Sequence, residues 1–324
     1  MKVLFNQFIF IFILGIFLDL LIGDPEFLLH PVEIIGSLIT FLEENLHFSK
    51  NKWVELFSGT VIVITVLLFT FFSVRFILFL FTKSRRWIDI CVKIYFFSTA
   101  VATRGLKTAG KEIYWLLKEN NIREARKKTG FIVGRDTDKM GSSDIVRAVI
   151  ETMAENISDG IIAPAFYYFL GGIPLALTYK AVNTLDSMLG HRSDEYMYFG
   201  RTAARLDDIA NFIPARLTAF CIWLSAVIIS DFNSDKFWKI IMRDAPQHPS
   251  LNAGFPESAS AVTLGIRLGG LNYYEGEPEF RNYLNEKGRK GELEDIKRMN
   301  KLLNYTVGFS WVLLLVFYLL FRSL

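Results

Sequence analysis

The stretch TVIVITVLLFTFFSVRFILFLF, residues 60–81, decides the fold class. It has the length of about 20 residues that an α-helix needs to cross the hydrocarbon core of a bilayer. Its one charged residue is Arg75. An arginine facing lipid at mid-bilayer would cost on the order of a few kcal/mol, so we expect Arg75 to reach the interface or to face protein. The sequence therefore predicts an integral membrane protein.

Four more stretches have comparable length and apolar character. The first lies near the N-terminus and leads into no small-residue cleavage site, which favours a retained membrane helix over a signal peptide. We predict an all-α, polytopic membrane helical bundle, a single integral membrane domain over residues 1–324 with five or six membrane segments plus interfacial or cytoplasmic helices. The four stretches are residues 5–23, 161–179, 212–230 and 302–321.

Two segments differ from a simple span. Residues 161–179 contain Gly171 and Gly172 between two prolines, which predicts a broken or re-entrant helix. Residues 88–102 are shorter and carry two charges, so an interfacial amphipathic helix and a sixth span both stay open.

The composition excludes some classes of function. The 36 basic and 33 acidic residues give a formal net charge of only +3, and no concentrated basic face indicates a nucleic-acid partner. Cys91 and Cys221 lie in apolar runs, so we expect packing residues and neither a disulfide nor a zinc site. The most polar stretch, residues 275–298, is predicted to be a solvated hairpin of helices or a mobile loop.

The strongest local pattern is SSDIVRAVIETMAENISDG, residues 142–160. It begins with an N-cap candidate and ends at Gly160, a C-cap candidate, so it predicts a helix of at least four turns. At four-residue spacing Glu151, Glu155 and Asp159 share one face. This pattern fits a solvated acidic face, and it also fits a magnesium or substrate site.

A polar stretch, GRDTDKMG at residues 134–141, directly precedes that helix. As a bare pattern it fits a capping turn, since it lacks the spacing of a nucleotide-binding loop. As a site, Arg135 and Lys139 would hold phosphate oxygens while Asp136 and Asp138 coordinate a bridging metal.

Further candidates follow the broken apolar segment. Asn183 and Asp186 lie one helical turn apart at its end, where ionisable groups that face protein indicate function. His191 follows a glycine and fits either a proton carrier or a capping residue. Arg205 and Asp208 have helical spacing, which ordinary intrahelical ion pairs explain in part.

The stretch DAPQHPSLNAGFPE, residues 244–257, has three prolines that stiffen its backbone. This favours a preorganised binding loop presenting His248, Asn252 and Glu257. The small-residue helix predicted over residues 258–268 suits close helix packing. With the turn after the first span, the polar regions that bear candidate site residues are 19–36, 133–160, 180–216 and 244–274.

These motifs together resemble one family. They are LIGDP at 21–25, HPV at 30–32, VGRDT at 133–137, ENISDGIIAP at 155–164, NTLDSM at 183–188, RLDD at 205–208, HPSLNAGFPE at 248–257 and GIRLGG at 265–270. In this order, over nearly the whole chain, the sequence resembles the CobD/CbiB family, the adenosylcobinamide-phosphate synthases of cobalamin biosynthesis. The resemblance implies a multi-pass protein of the cell membrane. It also implies that the protein joins a propionate of adenosylcobyric acid to aminopropanol or its O-phosphate, with ATP and Mg²⁺.

An ATP-dependent amide synthase plausibly forms an acyl phosphate first, and this step needs Mg²⁺ and cationic groups around the transferred phosphoryl group. The hypothesis gives each candidate residue a role. The metal shell is Asp136, Glu151, Glu155 and Asp159; proton transfer falls to His191, His248 and Glu257. Substrate and phosphate contacts fall to Asp24, His30, Arg135, Asn156, Asn183, Asp186, Arg205, Asp208, Asn252 and Arg267.

Two non-enzymatic alternatives stay open. A transporter would use the broken third segment as part of a substrate path, and a signalling protein would resemble the AmpE type. A transporter needs charges within its spans, whereas most polar motifs here lie at span ends and in loops. This favours an enzyme site at the membrane surface. A homo-oligomer is left open.

Overall fold

The computed structural model describes residues 2–23, 30–47, 51–190, 196–229 and 234–323. The chain divides into two compact units. The first unit comprises Met1–Arg104 and Ala163–Asn211, and the second unit comprises Gly105–Ile162 and Phe212–Leu324.

Helices form most of the described chain. In chain order the elements are α1 (Lys2–Leu21), α2 (Pro31–Leu46), α3 (Lys52–Thr82), α4 (Arg86–Ser98), α5 (Thr103–Lys118), α6 (Ile122–Gly130), α7 (Ser142–Ile157), a π-helical turn (Ser158–Ile162), α8 (Ala163–Leu189), α9 (Arg201–Ala210), α10 (Phe212–Ile229), α11 (Ser234–Asp244), a 3₁₀ turn (Ala245–Gln247), α12 (Gly254–Leu264), β1 (Leu268–Tyr274), β2 (Glu277–Leu284) and α13 (Leu293–Ser323). The predicted all-α membrane bundle is confirmed, with one β-hairpin added.

Four helical stretches of the described chain are long and apolar enough to cross a membrane, and they include four of the predicted spans. Gln7–Leu21 is a shorter apolar helix within α1. The α4 helix has only 13 residues, fewer than the roughly 20 that a span requires, which favours the interfacial alternative for residues 88–102. The four stretches are Lys52–Thr82, Ser142–Leu189, Phe212–Ile229 and Leu293–Leu320.

The predicted break in the third segment is confirmed. Gly171 has φ −151° and ψ 20°, and Gly172 has φ 70° and ψ −162°, so neither is helical. Glycine tolerates such a positive φ because it has no Cβ, and Pro174 follows inside α8 without an N–H for the helical ladder. The break therefore separates α8 into two helical pieces.

The core of the first unit is built from branched apolar side chains of α2, α3 and α8. Ile39, Ile62 and Leu185 are completely buried in it. The chain before α9 packs closely, because a Cβ at Gly59 would lie 1.9 Å from the carbonyl oxygen of Phe199. Asp19 is buried here too, and its carboxylate accepts the backbone N–H of Thr103 at 3.0 Å. Asp19 thus satisfies a backbone donor at the start of α5.

The core of the second unit surrounds α7. The predicted apolar face of this helix is confirmed, since Ile145, Val149, Met153 and Ile157 are all completely buried. Burial of each such side chain stabilises the fold by roughly 1.5–3 kcal/mol. The opposite face of α7 is left for the polar residues of the candidate site.

The prediction of helices or a mobile loop for residues 275–298 was wrong. The strands β1 and β2 pair antiparallel, and the chain reverses at Glu275 and Gly276, which both have positive φ. Two adjacent positive φ values match the twist of a two-residue hairpin. The stretch NYYEGEPEFRNYL therefore forms most of the hairpin, and α13 begins only at Leu293.

Two predicted helix ends were also wrong. The helix that contains α7 does not end at Gly160, because the π-helical turn carries the chain directly into α8. The α12 helix begins at Gly254 and ends at Leu264, and Gly265, which has a left-handed φ of 69°, serves as its C-cap. Glu257 is therefore in the first turn of a helix and not in the loop before it.

Candidate functional site

The site of the second unit is built on a bulge of β1. Gly269 and Gly270 have φ values of 80° and 92°, and the strand register shifts beside them. A Cβ at Gly269 would lie 2.3 Å from the carbonyl oxygen of Asn282, so only glycine fits this position. The bulge turns the Gly269 N–H toward Glu151 on α7, where it donates to Oε1 at 2.7 Å. The Gly269 carbonyl in turn accepts from the guanidinium of Arg147.

A buried ion pair extends from this bulge. The guanidinium of Arg135 donates to Oε2 of Glu151 and to Oδ1 of Asn272. Both charged side chains are only 6% exposed. Burial alone would lower the pKa of Arg135, but the neighbouring Glu151 carboxylate outweighs it and the pKa is raised. Because the pair is buried, removing one partner would leave an uncompensated charge.

The stretch before α7 lies along the hairpin. The backbone N–H of Asp136 donates to the carbonyl of Tyr273 at 2.9 Å. The Asp136 carboxylate accepts the N–H of Gly276 at 2.7 Å, which ties it to the hairpin turn. The polar stretch at residues 134–141 is therefore held by β1 and by the turn that follows it.

A second buried pair joins the proline-rich loop to α12. His248 Nε2 lies 3.5 Å from Oε1 of Glu257, with the side chains 8% and 6% exposed. His248 Nδ1 accepts the backbone N–H of Ser250 at 3.0 Å, which places the ring proton of a neutral imidazole on Nε2, facing Glu257. Burial, followed by the negative charges of Glu151 and Glu155, raises the pKa of Glu257 well above its ordinary value.

Asn252 has a structural contact in the same loop. Its Oδ1 accepts from Nη1 of Arg216 at 2.9 Å. The Arg216 guanidinium lies between two rings, 3.7 Å from the centroid of Phe212 and 4.1 Å from that of Phe255. Asn252 therefore connects its loop to α10, and its predicted contact with a substrate amide stays a prediction.

The predicted site residues are divided between the two units. Electrostatic interaction connects Arg135, Glu151, Glu155 and Glu257 into one cluster in the second unit, with His248 beside Glu257. Asp24 and His191 lie outside the described residues. The second unit also contains Asp136, Asn156, Asp159, Asn252 and Arg267, whereas the first contains His30, Asn183, Asp186, Arg205 and Asp208.

Polar residues of the first unit mainly hold helix ends together. His30 Nδ1 accepts the N–H of Val32 at 3.3 Å and caps α2. The carbonyl of Asp186 accepts the N–H of Gly190 at 2.7 Å near the end of α8. Of the remaining candidates here, Asn183 and Asp208 are half-buried and Arg205 is exposed, and their substrate contacts stay predictions.

Residues beside those candidates form a buried network that the prediction did not include. Tyr179 donates its hydroxyl to Oδ1 of Asn211 at 2.7 Å, and the Asn211 amide donates to Asp207 at 2.9 Å. All three belong to helices or helix ends of the first unit.

The predicted four-carboxylate metal shell does not form. In the part of the chain that the structure describes, no three His, Cys, Asp or Glu residues are arranged to hold a metal ion. A buried guanidinium and a peptide N–H already contact the two oxygens of Glu151, and its predicted metal contact stays a prediction. Asp136 accepts from the hairpin turn. Metal contacts of Glu155 and Asp159, both half-buried, stay predictions.

Two cavities open beside the bulge, and Asp144, Arg147 and Leu271 line both. The first, of about 240 Å³, has charges of both signs and includes Asp136, Asp138 and Lys139. The second, of about 260 Å³, includes the cations of Arg147, Arg267 and Lys290. No role was predicted for Arg147, Asn272 or Lys290; the GG pair at 269–270 was the signal for a bulge that could bring them together.

Comparisons with known proteins agree on one family. The profile of the CobD/Cbib protein family matches residues 12–303. The cobalamin biosynthesis protein CobD of Clostridium tetani is 42% identical over 277 residues, 85% of this chain and 86% of its own length. CobD of Listeria monocytogenes is 38% identical, covering 94% and 96%, and CbiB of Salmonella typhi is 39% identical, covering 88% and 90%. No solved structure gives a significant match.

Proposed function

The chain belongs to the CobD/CbiB family of cobalamin biosynthesis proteins, and from that premise we propose that it is an ATP-dependent amide ligase. The proposed reaction joins a propionate carboxyl of adenosylcobyric acid to the amine of aminopropanol or of aminopropanol O-phosphate. The products are adenosylcobinamide or its phosphate, together with ADP and inorganic phosphate. The protein would work in the cell membrane.

The observation that carries the proposal is the contrast between two buried carboxyl groups of one cluster. Glu151 is held in its charged form by the Arg135 guanidinium and the Gly269 N–H. Glu257 faces the imidazole of His248, and its pKa is raised by burial and by neighbouring negative charge. Groups whose environments push their protonation in opposite directions are typical of acid–base sites.

The chemistry needs a leaving group and then a base. In the first step the propionate oxygen attacks the γ-phosphorus of ATP, and the bond to the β-phosphate bridging oxygen breaks to release ADP. In the second step the amine nitrogen attacks the acyl carbon, and phosphate leaves with its oxygen. An amine that enters as ammonium must first lose a proton to the protein.

We propose that Glu257 accepts the proton of the incoming ammonium. A carboxyl with a raised pKa is better matched to an ammonium near neutral pH than an ordinary glutamate. His248 then acts as a positioning residue, because its Nδ1 is occupied by the Ser250 N–H and its Nε2 proton faces Glu257. The neighbouring Ser258 hydroxyl is completely buried and has no hydrogen-bond partner among the described residues.

Magnesium enters the proposal with the co-substrate. Among the described residues no three His, Cys, Asp or Glu side chains are grouped to hold a metal ion, and the oxygens of Glu151 already have partners. Mg²⁺ commonly keeps its phosphate and water ligands and takes only one or two carboxylates. We therefore propose that Mg²⁺ arrives as Mg-ATP, and no step is assigned to a resident ion.

Transport is the competing function, and the break at Gly171 and Gly172 favours it because transporters use broken helices at their substrate sites. One assay separates the two functions. The purified chain in detergent is incubated with adenosylcobyric acid, aminopropanol phosphate or aminopropanol, and Mg-ATP. We expect an amide product and one ADP for each amide formed. When the amine is omitted, we expect no more ADP than a single turnover releases. Absence of both products with either amine would overturn the ligase.

A further inference from the structure

We propose that the second cavity is an anion site that binds the phosphate group of a small phosphomonoester. The cavity has a volume of about 260 Å³ and is lined by Arg147, Arg267 and Lys290, with one carboxylate, Asp144. The three cations and one anion leave a charge of about +2, which matches a phosphomonoester of about −1.5 to −2 at neutral pH. The anion site stands on its own geometry, and only the identity of the ester rests on the proposed function.

The short hydrogen bonds of the first cation go to neutral groups, although its charge also acts on the buried carboxylate of Glu151. Arg147 donates to the backbone carbonyls of Gly269 and Leu271, the latter at 2.9 Å, and these acceptors carry no net charge. Its nearest carboxylate, Asp144, lies 3.6 Å away with a side chain that is 54% exposed, so water weakens this pair. The guanidinium is therefore fixed in direction by neutral acceptors, while the oxygens of Glu151 are bonded to Arg135 and to the Gly269 N–H and not to Arg147.

The other two cations are also uncompensated. Within the described ranges, neither Arg267 nor Lys290 has a carboxylate within 4.0 Å. The adjacent Arg289 shows the alternative, because its guanidinium forms two bonds to the buried Asp295, at 2.6 and 2.7 Å. Arg289 is thus paired within the fold, whereas the adjacent Lys290 lines the cavity.

The backbone fixes where these side chains start. The N–H of Arg267 donates to the carbonyl of Arg289 at 2.8 Å, which holds the chain before β1 against the chain that carries Lys290. The Arg267 guanidinium lies 4.9 Å from the ring centroid of Tyr283, and this contact directs it along β2. Two cations from distant parts of the sequence are therefore presented to one cavity by a preformed backbone.

The cavity also contains hydrogen-bond donors suited to phosphate. Ser143 lines it from the first turn of α7, a helix of 16 residues whose amino end carries a partial positive charge; its hydroxyl donates to the Gly291 carbonyl at 3.3 Å and would have to turn to reach a phosphate. Gly270 lines it from the bulge, where a Cβ would lie 2.8 Å from the ring of Tyr283 and 3.4 Å from Nη1 of Arg147. The absence of a side chain at Gly270 keeps the space before Arg147 open.

The size of the cavity selects among phosphate ligands. Pockets that enclose drug-sized molecules have volumes of roughly 300–1,000 Å³, so a cavity of about 260 Å³ suits a phosphate with a short chain better than a whole nucleotide. The shared chemistry is a terminal phosphate, supplied either by a short amino alcohol phosphate or by ATP. The two sources make different predictions in the experiment below.

The test measures binding without turnover. The thermal unfolding midpoint of the full-length purified protein is followed against inorganic phosphate, O-phosphoethanolamine and ATP without Mg²⁺, at constant ionic strength set with potassium chloride. We expect saturable stabilisation by phosphate and by phosphoethanolamine. In the double variant R267Q/K290Q the apparent Kd for both should rise by at least roughly tenfold, because two charge-assisted contacts are lost.

A matched control removes the same two charges elsewhere. Lys287 and Lys301 are exposed and line neither cavity, so K287Q/K301Q should bind phosphate within twofold of wild type. The charge-conserving variant R267K/K290R should retain binding and shows that the double glutamine change acts through charge. Equal phosphate affinity in R267Q/K290Q and wild type, or an equal loss in both glutamine variants, would overturn the site.

The ligand arms identify the source and keep this proposal separate from the ligase. Tighter binding of phosphoethanolamine than of ATP supports a small ester as the ligand. Tighter binding of ATP, lost in R267Q/K290Q, would show that the cavity binds a phosphate of the nucleotide and would overturn the argument from cavity size. Phosphate binding without any amide formation would uphold the anion site and reject the proposed function. Amide formation without phosphate binding would uphold the proposed function and reject the anion site.

Discussion

Two His-Pro turns, one in each unit, have the same local bond and different surroundings. His30 Nδ1 accepts the backbone N–H of Val32 at 3.3 Å, and His248 Nδ1 accepts the backbone N–H of Ser250 at 3.0 Å. In both turns the donor is two residues after the histidine. His30 is half-buried at the start of α2, with exposed Glu33 in the same helical turn. His248 has a buried partner, Glu257.

The comparison shows that the local motif alone does not define a site. In both turns the proline restricts the backbone and the imidazole satisfies a peptide N–H, which is a structural role. Among the residues that the structure describes, a buried cluster of charges lies beside the second turn. Function in the second unit should therefore fail when this cluster is altered, while equivalent changes at the first turn should affect stability only.

The largest expected effect comes from the ion pair that supports the cluster. Glu151→Gln removes one partner of a buried pair and should lower the free energy of unfolding by about 3–5 kcal/mol, measured by denaturant unfolding in detergent. The double change R135M/E151L removes both charges and should recover most of this loss. An E151Q protein as stable as wild type would show that the charges of the second unit are not structurally coupled.

The next effect concerns turnover. Glu257→Gln keeps a neutral group beside His248 but removes the proton acceptor, so amide formation should fall by roughly 10²-fold or more. The unfolding temperature should change little. The matched variant at the first turn is E33Q, which should form product at the wild-type rate. If E257Q retains full activity, the assignment of the proton to Glu257 is wrong.

Changing the two histidines tests the comparison directly. His248→Ala should reduce kcat by roughly tenfold to 10²-fold through misplacement of Glu257, and it should shift the pH profile of kcat. His30→Ala should leave that profile in place and cost about 1 kcal/mol of stability as a lost helix cap. The pH profile of kcat and the free energy of unfolding are measured for both variants. Equal pH profiles for H248A and wild type would show that both histidines have structural roles.

The smallest effect is on the pH dependence of stability. Because the pKa of Glu257 is raised in the folded state, the folded protein binds more protons than the unfolded chain between the two pKa values. Stability should therefore fall as pH rises from the unfolded value through the folded one. Unfolding of wild type and E257Q between about pH 5 and pH 8 should show a flatter curve for the variant; parallel curves would contradict this.

Local pattern was enough to predict the parts of the molecule that depend on neighbours in sequence. Apolar length gave the spans, the 3.6-residue period gave the buried face of α7, and the pair of glycines gave the break in α8. The turn at Glu275 and Gly276 could have been predicted too, because Gly276 follows Tyr273 and Tyr274, and aromatic residues are enriched in strands. The polar composition of residues 275–298, rich in Glu, Lys, Asn and Gly, outweighed that signal.

Long-range contacts explain what the sequence could not predict. Glu151 was placed with other carboxylates because it shares their helix face, yet its oxygens face Gly269 and Arg135, 118 and 16 positions away. Arg135 in turn reaches Asn272 across 137 positions. The packing of β1 on α7 decides which carboxylates pair with a cation and which lie beside another carboxylate. The helical periodicity of α7 does not contain that information.

The hairpin turn between β1 and β2 offers a means of finding which side of the membrane the cluster faces. Glu277 is exposed next to this turn, and of the two native cysteines Cys221 is buried while Cys91 is exposed. A C91S/E277C protein in sealed vesicles would therefore carry one accessible thiol. A membrane-impermeant maleimide would label it from a single side, and Asp136, bonded to the adjacent Gly276, must share that compartment.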